Sequence, residues 1–160
     1  MGFAERPTFE AFARARLPEL LRFGYALTGS QDVAADLVQD ALVRTGVRWS
    51  RLRSADPEGY VRRVMVNTHI SWWRKQRHEQ LTASPPDTGY EQPSRDDSLW
   101  LLLATLPPRQ RAVLVLRYYE DLSEVQIAAV LDCSVGTVKS QSARALGKLR
   151  ATMMVERGKQ

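Results

Sequence analysis

The feature that most constrains this chain is a three-residue turn, Asp132-Cys133-Ser134, between two segments whose apolar residues recur three and four positions apart. That spacing is the period of an amphipathic helix. Ser123 and Gln126 fit a capping box at the start of the first segment, and 135–153 is predicted as one long helix. Two helices joined by so tight a turn are typical of a helix-turn-helix, whose second helix enters the major groove of DNA.

The two helices of this motif divide their residues between an inner and an outer face. Apolar side chains that can meet between them are Ile127, Leu131, Val135 and Val138. Arginine and glutamine can read base edges, and lysine and serine can hold phosphates. The outer face therefore predicts contact with duplex DNA, although a solvated face of a helical hairpin is the alternative. Its polar residues are Thr137, Lys139, Ser140, Gln141 and Arg144.

The rest of the chain repeats the helical spacing, so we predict an all-α fold of two small helical domains joined by a flexible linker. Residues 81–95 carry three prolines and one glycine without apolar periodicity, which predicts that linker. The domains are then 1–80 and 96–160, the second holding the helix-turn-helix. Both halves are basic and the chain has a formal net charge of +5, which favours an anionic partner.

An acidic stripe marks the second predicted helix, which Ser30 can cap. Asp32, Asp36 and Asp40 recur every four residues, with Gln39 beside Asp40. Like charges at this spacing repel mildly, so a basic partner surface would offset a cost that an isolated helix bears. A solvated acidic face is the alternative. The inward residues of this helix are predicted to be Val33, Leu37, Ala41 and Leu42.

A helix predicted over 58–77, after a cap at Asp56, interleaves cations with aromatic rings. Cations neutralise phosphates and rings stack on unpaired bases, so this pattern favours contact with single-stranded nucleic acid. The alternative is that both tryptophans belong to the core. We expect Val61, Val64, Met65, Thr68 and Trp72 to face inward, leaving Arg62, Arg63, Asn67, Trp73, Arg74, Lys75 and Arg77 on the outer faces.

No pattern in the chain supports catalysis, a metal or another cofactor. Two histidines and one cysteine, Cys133, show no zinc-ligand spacing, and a phosphate-binding glycine motif is absent. The N-terminal sequence lacks a secretory signal, and the longest apolar run, Leu99 to Ala104, is too short to enter a membrane as a spanning helix. We therefore expect a cytoplasmic protein without membrane insertion.

Four segments in this order resemble the sigma-70 family of bacterial RNA polymerase sigma factors, in the small extracytoplasmic-function class that retains only domains 2 and 4. They are Asp36-Leu37-Val38-Gln39-Asp40-Ala41-Leu42, Val66-Asn67-Thr68 with Trp72-Trp73-Arg74, Leu106-Pro107-Pro108-Arg109-Gln110-Arg111, and Val135-Gly136-Thr137-Val138-Lys139-Ser140. The resemblance implies a protein that joins core RNA polymerase, directs it to promoters and helps to open the DNA.

The resemblance also implies partners for individual residues. Asp36, Gln39 and Asp40 match the contact with the coiled coil of the polymerase β′ subunit, and the β flap is a second contact on the enzyme. The segment of the family that reads an exposed base of the −10 element is matched by Val66, Asn67 and Thr68. The strand-melting region is matched by the neighbouring cations and Trp73, that is, by Arg62, Arg63, Trp73, Arg74, Lys75 and Arg77. Domain 4 of the family reads the −35 element with residues that match Lys139, Ser140 and Arg144. An anti-sigma factor is a further candidate partner.

Three positions depart from the common family pattern. Gln141 stands where many relatives have arginine, Ser142 where many have an apolar residue, and Asp132 where a turn glycine is common. The main rival interpretation is a dimeric helix-turn-helix regulator with a sensor domain in front. A small helical nucleic-acid enzyme is a distant third, because the chain lacks a carboxylate and histidine constellation.

Overall fold

The computed structural model describes residues 7–80 and 98–159, and every regular element in those ranges is helical, as predicted. The predicted linker, 81–95, lies outside the described residues. A π-helical segment, Val115–Tyr119, continues the sixth helix. The α-helices are α1 (Phe9–Thr28), α2 (Gln31–Val47), α3 (Trp49–Leu52), α4 (Pro57–Gln80), α5 (Ser98–Ala104), α6 (Pro108–Leu114), α7 (Glu124–Leu131) and α8 (Val135–Gly158).

The chain divides into two compact units, residues 1–68 and 69–160. Helices α1 to α3 and the first half of α4 belong to the first unit. The second unit holds the rest of α4 and α5 to α8. The functional domain bounds 1–80 and 96–160 stay a prediction.

In the first unit, α1 and α2 pack closely because a glycine faces a small residue. A Cβ atom added to Gly24 would lie 3.1 Å from the Cβ of Ala34, so a larger residue at position 24 would push the helices apart. Phe23, Leu27 and Leu37 are almost fully buried at this contact. Such burial stabilises the pair by roughly 1.5 to 3 kcal/mol for each large side chain.

Local capping fixes the reversal between these helices. Gly29 ends α1 in the left-handed conformation at φ 72°, and its backbone N–H donates to the carbonyl of Tyr25 at 2.8 Å. The predicted cap of α2 is present, since the Ser30 hydroxyl accepts from the N–H of Val33 at 3.3 Å. A glycine supplies the left-handed turn at little cost and a serine oxygen satisfies a free amide, so the sequence alone determines this corner.

The short helix α3 was not predicted, and tertiary contacts account for it. Trp49 at its start packs against the rings of Phe9 and Phe12 in α1, with centroid distances of 5.7 and 5.1 Å. Arg48, just before it, donates to the Tyr60 hydroxyl at 3.2 Å. A single helical turn is not stable by itself, so partners distant in sequence stabilise α3.

In the second unit, α5, α6 and α8 share a leucine-rich core. Leu103, Leu106, Leu114 and Ala145 are buried together, with Leu146 and Leu149 packed against them. The buried Arg111 of α6 supports this core by donating to the carbonyls of Leu103, Ala104 and Leu106 at 2.9, 3.2 and 3.2 Å. Two of these carbonyls belong to the last turn of α5 and the third follows it, so the guanidinium caps the end of this helix. Burial lowers the pKa of Arg111.

The helix that begins with α6 changes its winding after Leu114. Val115–Tyr119 forms a π-helical turn in which the N–H of Glu120 donates to the carbonyl of Val115 at 3.1 Å. Val115 and Leu116 stay buried, whereas Tyr118 and Tyr119 are exposed. The wider turn keeps the apolar side inward and directs the chain toward α7.

Candidate nucleic-acid and protein interfaces

The acidic stripe lies on the outer face of α2, as predicted. Asp32, Asp36 and Gln39 are exposed, and Asp40 is half-buried. The Asp40 carboxylate pairs with Nε of Arg44 at 3.1 Å, an ion pair within one helix. The face therefore presents carboxylates and an amide to solvent, together with one neighbouring cation.

The predicted inner face of α2 needs two corrections. Leu37 and Ala41 are fully buried, but Val33 is 38% exposed and Leu42 is only half-buried. Ala34 and Val38 take those places in the core. Helical spacing predicts how wide an apolar stripe is. Which residues at its centre are most buried depends on where α1 packs against α2, at Gly24.

An apolar groove between α1 and α2 was not predicted. It has a volume of about 500 Å³, and one wall includes Gln39 of the acidic face. Its signal in the sequence is weak, since Leu17 and Leu21 look like ordinary core positions but are partly exposed. The lining residues are Phe9, Ala13, Leu17, Leu21, Ala35, Val38, Gln39, Leu42 and Val43.

On α4 the predicted nucleic-acid residues do not share one face. Arg63, Asn67, Arg74, Lys75 and Arg77 are exposed, and Arg62 is half-exposed. Thr68 is 8% exposed, which fits the predicted inward stripe and leaves little of its side chain for a base to contact. Val61 and Met65 are fully buried, as predicted, whereas Val64 is only half-buried.

The two tryptophans of α4 depart from their predicted faces. Trp72 was expected to point inward and is 38% exposed, and Trp73 is half-buried. The guanidinium of Arg77 lies over the Trp73 ring, 5.2 Å from its centroid. A cation held on an aromatic face combines the two chemistries that single strands require, a positive charge and a ring.

His69 adds no charge to this helix. Its Nε2 atom is buried without a hydrogen-bond partner, and burial lowers the pKa of the imidazole to about 4. The ring is therefore neutral at physiological pH. Among residues 7–80 and 98–159, no group of three or more histidine, cysteine, aspartate or glutamate side chains could hold a metal ion.

The helix-turn-helix has the predicted local chemistry. The Ser123 hydroxyl accepts from the N–H of Gln126 at 3.1 Å, and the Gln126 side chain accepts from the N–H of Ser123 at 2.9 Å, completing the capping box. Asp132 ends α7 in the left-handed conformation at φ 52°. Ser134 then caps α8 by accepting from the N–H of Thr137 at 3.1 Å.

The inner residues of α7 and α8 confirm most of the predicted contact between them. Ile127 and Val138 are fully buried and Leu131 nearly so, while Val135 is half-buried. Ser142 is also buried on this inner face. A small side chain at this position lets α8 pack closely on its inner side.

The outer face of α8 exposes Lys139, Ser140 and Arg144, with Thr137 and Gln141 half-buried at its edges. The hydroxyl of Thr137 lies 2.9 Å from the Ser134 hydroxyl, so the cap occupies part of its hydrogen-bonding capacity. Sequence reasoning missed Lys148 and Arg150, which are exposed further along the same helix. Lys148 follows Arg144 by four positions, and this spacing places it on the same face of the helix.

A charged cluster joins the π-helical segment to both helices of the motif. Nη1 of Arg117 donates to Oε1 of Glu124 at 2.9 Å, and Nζ of Lys139 lies 3.9 Å from Oε2 of the same carboxylate. Arg117 also lies 5.7 Å from the centroid of the exposed Tyr118 ring. This cluster could not be predicted from the sequence, because its three charges are separated by 7 and 15 positions.

Taken alone, the described helices offer an acidic face with an adjoining apolar groove, a helix of mixed cations and aromatic rings, and a cationic recognition helix. Within the described ranges, no helix is both long enough and apolar enough to span a membrane.

Family comparisons match both halves of the chain. Residues 12–79 match the model described as Sigma-70 region 2, and residues 96–149 match Sigma-70, region 4. The RNA polymerase sigma-E factor of Streptomyces coelicolor is 42% identical over 91% of this chain and 86% of its own length. The ECF RNA polymerase sigma factor EcfG of Rhodopseudomonas palustris is 32% identical over 89% of this chain and 83% of its own.

A solved structure shares the fold. The sigma factor RpoE of Bartonella quintana, crystallised with the anti-sigma factor NepR, aligns with a TM-score of 0.68 at 24% identity. The alignment covers 92% of this chain and 97% of that one.

Proposed function

Because the chain belongs to the extracytoplasmic-function class of the sigma-70 family, we propose that its three exposed helix faces each contact a different partner. The protein is a transcription initiation factor that binds core RNA polymerase, recognises the −35 and −10 promoter elements and promotes DNA opening. The rival interpretation as a dimeric regulator loses its support, because region 2 occupies the place where a sensor or dimerisation domain would lie.

The acidic face of α2 is proposed to bind the coiled coil of the polymerase β′ subunit through Asp36, Gln39 and Asp40. The exposure of Asp36 and Gln39 supports this assignment, as does the burial of Leu37 on the opposite side. The apolar groove extends the surface, since Gln39 belongs to both. A basic helix with an apolar edge could pair its charges with α2 and insert a side chain into the groove.

The outer faces of α4 are proposed to hold the separated strands of the −10 element. Asn67 is exposed and can read a base edge, and the Arg77 and Trp73 pair offers a charge over a ring. The remaining cations of this surface neutralise phosphates. The proposed set is Arg62, Arg63, Asn67, Trp73, Arg74, Lys75 and Arg77, with Thr68 in a supporting position because it is buried.

The outer face of α8 is proposed to read the −35 element in the major groove. Arg144 and Ser140 lie on its exposed side, and the exposed Lys139 is proposed to contact a phosphate. Thr137 and Gln141 border the same face. The β flap is assigned to this half of the chain, where Met153, Met154 and Val155 expose apolar side chains near the end of α8.

These assignments place the protein in the cytoplasm, where promoter DNA and RNA polymerase are found, and give it no catalytic step of its own. They also fit functional domains over 1–80 and 96–160. An anti-sigma factor is a proposed regulatory partner.

The observation that carries the proposal is the uneven distribution of exposed charge among the helices. Carboxylates outnumber cations on the surface of α2, where Arg44 is the one exposed cation, whereas cations outnumber carboxylates on α4 and α8, which each expose one glutamate, Glu79 and Glu156. The test is transcription by core RNA polymerase from a randomised promoter library, scored by transcript start sites. Addition of the chain should create starts at a fixed distance from shared −35 and −10 sequences. Starts identical to those of core polymerase alone would contradict the proposal.

A further inference from the structure

Glu124 stands between two cations at the beginning of α7. Its Oε1 accepts a hydrogen bond from Arg117 at 2.9 Å, and its Oε2 lies 3.9 Å from the ammonium of Lys139. The Arg117 and Glu124 side chains are 36% and 28% exposed, whereas that of Lys139 is 65% exposed. The carboxylate is thus bound firmly on one side and loosely on the other.

The loose side faces the recognition helix. Lys139 has a flexible stem and a compact charge, so its ammonium can leave a carboxylate at 3.9 Å for a stronger acceptor. A DNA phosphate is such an acceptor. An ammonium that moves to a phosphate gives up its attraction to Glu124, and this loss opposes binding.

We propose that Glu124 limits the affinity of the −35-binding surface by competing with DNA phosphate for Lys139. Arg117 keeps the competing carboxylate in place by its hydrogen-bonded ion pair. The inference rests on the proposed function, in which Lys139 contacts a phosphate. Because phosphate contacts act on every sequence, weakening one of them lowers attraction to unrelated DNA and leaves the contacts of Arg144 and Ser140 with bases intact.

The decisive variant is Glu124→Gln, which removes the charge and keeps the shape. It leaves the capping box untouched, because that box consists of Ser123 and Gln126. The full chain is combined with core polymerase, and binding is measured on a duplex promoter fragment selected by the wild type from a random −35 pool. We expect about two- to fivefold tighter binding, the range for loss of an exposed ion pair. The logarithm of affinity should also fall more steeply with salt, by up to about 0.9 in slope.

Matched variants separate this inference from its premise. Glu156→Gln removes the same charge from an exposed position near the end of α8 and should leave affinity unchanged. Lys139→Gln should weaken binding, and Glu124→Gln should give no gain in that background. Glu124→Ala also spares the capping box and should reproduce the gain, provided that thermal melting shows it folded.

The outcomes point to different failures. If Lys139→Gln binds like the wild type, the phosphate role of Lys139 in the proposed function is wrong. If Lys139→Gln binds weakly but Glu124→Gln shows unchanged or weaker binding, competition by Glu124 is overturned. A gain from Glu124→Gln that persists without Lys139 also overturns it, because the carboxylate would then act by general repulsion.

Discussion

The two long helices α4 and α8 each have 24 residues and are both assigned to DNA, yet they expose their contact residues differently. On α8, the buried Val138, Ser142 and Ala145 form one inner stripe, which leaves Ser140 and Arg144 together on the outer face. On α4, the assigned residues include exposed, half-buried and buried side chains.

The difference follows from what each helix must bind. A duplex offers one groove that one helix face can enter, so its readers must share that face. Separated strands offer bases and phosphates that can reach several sides of a helix, and rings and cations can meet them there. A single exposed stripe is therefore expected for −35 reading and is not required for −10 opening.

The largest effect is expected from substitutions on α2, because loss of core polymerase binding prevents both α4 and α8 from acting at a promoter. Asp36→Arg combined with Asp40→Arg should abolish retention on immobilised core polymerase, because the charges offered to a basic partner are reversed. The helical signal in circular dichroism should persist, since Leu37 and Ala41 stay buried on the other side.

A control for this variant is Glu10→Arg with Glu156→Arg, which makes the same change in net charge at exposed positions on α1 and α8. It should retain core binding. Unchanged retention of the α2 variant, with its fold intact, would contradict the assignment of the acidic face.

The next largest effect separates α4 from α8. Asn67→Ala and Trp73→Ala should impair promoter opening more than initial recruitment, because stacking and base-edge contacts are formed only with exposed bases. Permanganate reactivity of the −10 region reports opening, and filter binding of closed complexes reports recruitment. Ser71→Ala, at an exposed position of the same helix, is the control.

A comparison of the tryptophans sharpens this test. Trp72 is more exposed than the sequence predicted, and Trp73 lies beneath Arg77. If Trp72→Ala impairs opening and Trp73→Ala does not, the stacking role belongs to the more exposed ring. Footprints equal to wild type for Asn67→Ala and both tryptophan variants would remove the single-strand role of α4.

On α8 the expected effects are smaller and depend on sequence. Arg144→Ala should weaken use of promoters with a good −35 element by about 1 to 3 kcal/mol if the guanidinium reads a base edge. Lys139→Ala should instead weaken all sequences alike and lower the salt slope by about 1. Transcription from a randomised −35 library at several salt concentrations distinguishes the two, and equal rankings and yields for both variants would contradict the face assigned to α8.

The smallest effect is expected at the edge of the recognition face. Gln141→Arg should shift or broaden the preferred −35 sequence without altering the −10 preference, because Gln141 is half-buried beside the exposed readers. Sequencing of transcripts from promoters randomised at both elements would measure both preferences together. A changed −10 preference would show that the two helices do not read separately.

Where local chemistry fixes the structure, the sequence was sufficient. The caps at Ser30 and Ser123 form as predicted, Asp56 caps α4 by accepting from the N–H of Gly59 at 3.0 Å, and Asp132 takes the left-handed turn. Each of these depends on neighbours within a few positions. For the same reason the helices and the turn of the helix-turn-helix could be predicted.

Features that depend on distant partners could not be predicted. Helix α3 forms because Trp49 packs against Phe9 and Phe12, which lie about 40 positions earlier in the chain. Similarly, the exposure of Val33 depends on how α1 crosses α2, and the cluster around Glu124 joins three elements. Periodicity identifies a face but does not say which residue lies at its centre.

Because Val115–Tyr119 forms a π-helical turn, the number of residues in this segment determines how the following helices are oriented. Each residue of an α-helix advances the chain by about 100° around the axis. Deleting one residue between Tyr118 and Glu120 would restore an ordinary helical winding, but it would turn whatever follows by that angle. The pair between Arg117 and Glu124 spans this turn, so the same rotation would move Glu124 relative to Arg117. Insertions and deletions here would therefore rotate the helix-turn-helix that follows. The same changes in a flexible loop would alter only the distance that the loop can span.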